Sequence, residues 1–96
     1  MLNQADIDGI ADKVARDNLP SGALVSVSSR PYESFSGDEE LMVRVVIRDA
    51  QFPQVTGDQF GKMVGDLQQE LMGRGEMRFA HIEWNTDAAP TPDEDE

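Results

Sequence analysis

The chain has 96 residues, no cysteine and a formal charge of −11 at neutral pH, from 19 acidic and 8 basic side chains. That length allows one hydrophobic core, and the lack of cysteine excludes a disulfide scaffold and any thiolate metal centre. Residues 1–84 carry 14 of the acids and all 8 bases, so the domain itself is acidic, which opposes a nucleic-acid binder needing a positive footprint on phosphates.

The N-terminus, Met1-Leu2-Asn3-Gln4-Ala5-Asp6, has neither a basic start nor an apolar run, so no signal peptide is expected. No apolar stretch approaches a membrane span, and a cytoplasmic location is expected. Residues 4–18 read as a helix: Ile7, Ile10, Ala11, Val14 and Ala15 form one apolar stripe at helical spacing, with Asn3 as N-cap. Pro20-Ser21-Gly22 ends it. Residues 23–30 read as a first strand, with Ala23, Val25 and Val27 on one side and Leu24, Ser26, Ser28 and Arg30 on the other; Pro31 is expected to stop it. The polar, acidic segment 31–40 is expected to be a long, mobile loop.

Residues 41–48 form the strongest strand. Leu41, Val43, Val45 and Ile47 alternate with Met42, Arg44, Val46 and Arg48, and apolar residues on both sides place it centrally. The second helix announces its start: Thr56 and Gln59 fit a capping box, and Val55 with Phe60 a hydrophobic staple. Phe60, Met63, Val64, Leu67 and Leu71 make its stripe, and Gly73 or Gly75 its stop. Residues 76–84 read as a third strand of undetermined parity. From Asn85 to Glu96 the chain lacks branched and aromatic apolar residues, and a disordered acidic tail is expected.

These elements predict an α+β, two-layer α-β-β-α-β sandwich: one domain over 1–84, with a three-stranded mixed sheet and two helices on one face. A hairpin makes the first two strands antiparallel, and a helical crossover makes the next pair parallel. The layout resembles small α-β-β-α-β modules that dimerise through an open sheet or its edge, an analogy of architecture alone.

With both helices on one face, the other is uncovered. Met42, Arg44, Val46, Arg48 and Arg30 are the candidate partner-binding residues there, with Ile82 and Trp84 added, beside Arg78 and Ala80, by one parity of the third strand; the other parity adds Met77, Phe79, His81 and Glu83. Arginine and aromatic side chains among apolar ones are typical of interface centres, although arginine stems can also cover apolar atoms on a merely solvated sheet.

No catalytic, cofactor or metal signature stands out. His81 is the only histidine; with Glu83 it is a conceivable acid–base pair, but it lacks companion metal ligands. Asp8 and Asp12 share a helix face without any calcium-loop spacing. Ser26, Ser28 and Ser29 have no nucleophile elbow. The expectation is a non-enzymatic interaction protein without cofactor, an adaptor, regulator or inhibitor of a protein partner or a homodimer. The alternatives are a small enzyme using His81 and a carboxylate at a dimer interface, and, below that, an anion or nucleic-acid binder using the arginine face.

Overall fold

A computed structural model gives the fold, described over residues 2–88. The order is α1 (Gln4–Asn18), β1 (Leu24–Glu33), β2 (Glu39–Ile47), a 3-10 turn over Asp49–Gln54, α2 (Gly57–Gly73) and β3 (Ala80–Thr86). The sheet runs β1-β2-β3, antiparallel between β1 and β2 and parallel between β2 and β3. This is the expected α+β sandwich with β2 in the middle. No helix among the described residues is long and apolar enough to cross a membrane.

Local chemistry accounts for the helices. The side chain of Asn3 accepts from Asp6 N at 2.8 Å, satisfying a free amide at the start of α1. The five stripe residues Ile7, Ile10, Ala11, Val14 and Ala15 are all buried. At α2 the capping box is complete: Gln59 N donates to Thr56 Oγ1 at 3.1 Å, and Thr56 N donates to Gln59 Oε1 at 2.7 Å. Met63, Leu67 and Leu71 are buried, whereas Val64 is exposed and sits on the shoulder of the stripe. The stop is Gly75. Its φ of 89° lets Glu76 N reach Leu71 O and Gly75 N reach Met72 O, the paired bonds of a Schellman motif.

The core lies between the helices and the inward side of the sheet, where Leu41, Val43, Val45 and Ile47 are fully buried. Four expectations change. First, β1 does not stop at Pro31: the ladder continues through Pro31↔Leu41 to Glu33↔Glu39. β1 is an edge strand, where proline is tolerated. The presumed long loop is thereby reduced to a closed turn over 34–38.

Second, a β-bulge between Leu24 and Ser26 shifts the register of β1. The extra residue exchanges sides. Leu24 pairs with Ile47 and packs on the core, whereas Val25, expected inward, is 42% exposed. Third, β3 begins at Ala80 rather than 76, and its pairing of Val43 with Ile82 and Val45 with Trp84 turns Ile82 and Trp84 inward.

Fourth, the domain does not end at 84. Asn85 and Thr86 belong to β3, Asp87 N donates to Ile47 O at 3.1 Å, and Asp87 Oδ1 accepts from Asp49 N at 2.7 Å. The remainder of the expected tail, 89–96, lies outside the described residues. A chain ending at Asn85 should therefore be less stable than one ending at Ala88, by about 1–2 kcal/mol for the two lost hydrogen bonds, one of them to a side chain. For a domain of this size that is a fall of roughly 4–16 °C in Tm. Equal thermal melts for the two chains would show that Thr86 and Asp87 hold nothing in place.

Candidate interaction surface

The outward side of the sheet carries no helix. Register places Ser26, Ser28, Arg30 and Tyr32 of β1 beside Val46, Arg44, Met42 and Glu40 of β2, and His81, Glu83 and Asn85 of β3 beside Met42, Arg44 and Val46. Of the expected partner-binding residues, Arg30, Met42, Arg44 and Val46 thus share one surface. Met42 and Val46 are half-buried and Arg30 and Arg44 exposed, so neighbouring side chains on the face shield part of the apolar area.

The other three are placed differently. Arg48 lies at the end of the sheet, where its Nε donates to Gly22 O at 3.1 Å and its guanidinium comes within 4.0 Å of Asp87. Ile82 and Trp84 do not join the outer face. Both pack on the core, and Trp84 meets the ring of Phe60 edge-on at 4.6 Å between centroids. The second parity holds, with His81 and Glu83 outward.

The partner of His81 is Glu40 rather than Glu83. His81 Nε2 and Glu40 Oε1 are hydrogen-bonded at 2.6 Å, because Glu40 is its diagonal neighbour on β2, whereas Glu83 is carried to the level of Arg44. Tyr32 and Phe79 flank the imidazole edge-on, at 5.7 and 4.8 Å between centroids. The result is a polar–aromatic cluster on an open surface at the hairpin end of the sheet.

The Asp8 and Asp12 carboxylates of α1 are engaged. Ser29 Oγ, buried on the inward side of β1, donates to Asp8 Oδ1 at 2.5 Å, and Asp12 pairs with Arg16 at 2.8 Å. Among the described residues no group of three His, Cys, Asp or Glu side chains is placed to hold a metal ion. By contrast, Arg30 and Arg44 form no salt bridge among the described residues. They border a shallow depression of about 320 Å³, lined also by Ser28, Met42 and Glu83.

A further feature escaped the sequence reading. Glu76 is 1% exposed, and its carboxylate accepts from Arg78 Nε at 2.8 Å, Arg78 Nη2 at 2.9 Å, Arg78 N at 3.1 Å and Leu2 N at 2.9 Å. Arg78 Nη2 also donates to Leu2 O at 3.3 Å. The pair ties the N-terminal segment to the turn before β3. The hydrogen bond from Arg78 holds the Glu76 carboxyl down at about 2, against burial, which acts in the opposite direction. Arg78 is thus committed to a buried pair and is not available on the outer face. No family model, no curated protein and no solved structure matches this chain, which leaves the chemistry of this surface as the guide to its function.

Proposed function

We propose that this chain is a small non-enzymatic interaction protein of the cytoplasm whose open sheet face seats a protein partner. One observation carries the reading. On an uncovered face of a strongly acidic domain, two arginines without a carboxylate partner among the described residues, Arg30 and Arg44, flank the apolar side chains of Met42 and Val46. Surplus carboxylates elsewhere would ordinarily pair with such arginines. Arginine beside apolar groups is the composition of an interface centre, and the acidic surroundings favour a partner with a basic rim. A second copy of the chain, face to face, is one version of this assembly.

The double change Arg44→Glu and Val46→Glu tests it. Both side chains lie outside the core, so the variant should keep the melting curve of the monomeric parent while losing association. Light scattering reads a homodimer, and a pull-down compared by mass spectrometry between parent and variant reads a heterologous partner. A folded variant that binds everything the parent binds would move the interaction to the acidic helical surface.

The bonded His81–Glu40 pair supports a second reading, a small enzyme. It would need a substrate pocket and a reacting group supplied by another copy, since the pair stands on an open sheet.

A further inference from the structure

Phe35 is fully exposed at the tip of the β1–β2 hairpin. Hydrogen bonds, rather than packing, order this tip. Ser34 N donates to Asp38 O at 2.8 Å and Gly37 N to Ser34 O at 2.9 Å, and Asp38 N donates to Ser34 Oγ at 3.2 Å. Gly37 adopts the φ of 93° that closes the turn. A ring carried on a closed turn loses little freedom on docking. Glu33, Asp38, Glu39 and Glu40 surround it in the chain, so the knob is apolar with an acidic collar.

The same chain holds a hole of matching character. A cavity of about 180 Å³ opens between the N-terminal segment, the start of α1 and the base of the hairpin. It is half-open: Leu2 and Pro31 form its accessible apolar walls over a floor of the buried Ile7 and Leu41, with Gln4, Ser29, Arg30 and Arg78 also bordering it. An apolar cavity of about 150 Å³ accepts benzene, so a phenyl ring fits. Phe35 does not reach its own cavity. Pro31 and Leu41 pair across the ladder, and four residues of strand at about 3.3 Å each hold the tip roughly 13 Å beyond them. Knob and hole nevertheless lie at the same end of the molecule. Two copies related by a twofold axis can therefore exchange rings, and a reciprocal contact of this kind closes at two subunits.

We propose that the chain dimerises by reciprocal insertion of Phe35 into the Leu2–Ile7–Pro31–Leu41 cavity of a second copy, with the acidic collar facing Arg30 at the cavity margin. This contact engages Arg30 at the edge of the outer sheet face but leaves Met42, Arg44 and Val46 free, and it does not depend on the partner-binding reading of that face.

Sedimentation equilibrium of the full chain tests it, at about 0.15 M salt to screen the repulsion between two acidic molecules. The expected result is a monomer–dimer equilibrium that Phe35→Ser weakens by about 100-fold, roughly tenfold for each ring withdrawn from a pocket, with Tm unchanged at concentrations where the parent is monomeric, because the ring is exposed there. Isotopically labelled Phe35→Ser protein, which keeps the hole and lacks the knob, is then titrated with unlabelled parent chain. Amide NMR shifts are expected at Leu2, Ile7, Leu41 and Arg78 of the labelled chain. A monomer at every concentration, a dimer indifferent to Phe35→Ser, or growth into open chains overturns the proposal. A dimer that Arg44→Glu/Val46→Glu abolishes and Phe35→Ser spares also overturns it, while supporting self-association through the sheet face.

Discussion

Replacing Glu76 by alanine should cost about 3–5 kcal/mol, the usual price of leaving one member of a buried ion pair alone. The Arg78 side chain is 11% exposed, and without Glu76 its nearest carboxylate is Glu39 at 3.6 Å. The variant also strands Leu2 N, whose hydrogen bond among the described residues goes to Glu76. Since a domain of this kind is stable by about 5–15 kcal/mol, urea melts should show a large fall in midpoint with little change in slope. The double change Glu76→Met/Arg78→Met should recover much of the loss, because removing both charges leaves neither unpaired. A fall below about 1 kcal/mol for Glu76→Ala would mean that water reaches the pair.

The same pair predicts how stability responds to acid. Hydrogen bonding to Arg78 lowers the Glu76 carboxyl from 4.5 to about 2 in the folded chain. The contribution is therefore complete above about 4.5 and is lost as pH falls from there through about 2. A shift of that size corresponds to something on the order of 3 kcal/mol. The parent should lose stability over this window, and Glu76→Gln should lose less. Parallel acid limbs for the two proteins would contradict the assignment.

What could be read from sequence follows how local the cause is. The stripes of α1 and α2, the Asn3 cap and the Thr56–Gln59 box are set by residues within one or two turns, and the structure has them where periodicity put them, apart from the exposed Val64. The faces of β2 were equally legible, since Leu41, Val43, Val45 and Ile47 leave no other phase. The bulge in β1 was not, because Leu24 and Val25 are both apolar and an inserted residue leaves no trace in the alternation. The parity of β3 was undetermined for a related reason: both sets, Met77 with Phe79 and Ile82 with Trp84, contain large apolar side chains. Its phase is fixed by tertiary bonds, the Schellman turn at Gly75 and the Glu76–Arg78 pair, which delay the strand to Ala80. The His81–Glu40 bond needed the parallel register, which no local pattern carries. Pro31 reads as a strand stop, a rule that an edge strand relaxes, so the sequence shows Phe35 in a long loop and not on the closed turn of a hairpin.

Val45→Ala and Leu67→Ala should each cost about 2–4 kcal/mol, through lost transfer energy and the cavity left behind. Both side chains belong to the core cluster, at 1% and 2% exposure. Val45 holds the middle of the central strand, between Val27 of β1 and Trp84 of β3. Leu67 belongs to the buried stripe of α2, with Met63 and Leu71. Because the two share one core, their effects need not add. The informative comparison is with Val46, one residue along the same strand and on the opposite side. With no helix above it, Val46→Ala should cost less than about 1 kcal/mol in the monomer, since its side chain is only partly buried. Denaturant melts of the three single variants read this directly. A small loss at Val45 would put the core on the wrong side of the sheet. A loss at Val46 as large as that at Val45 would show the outer face covered in solution, and if that loss grew with protein concentration, the cover would be a second copy of the chain.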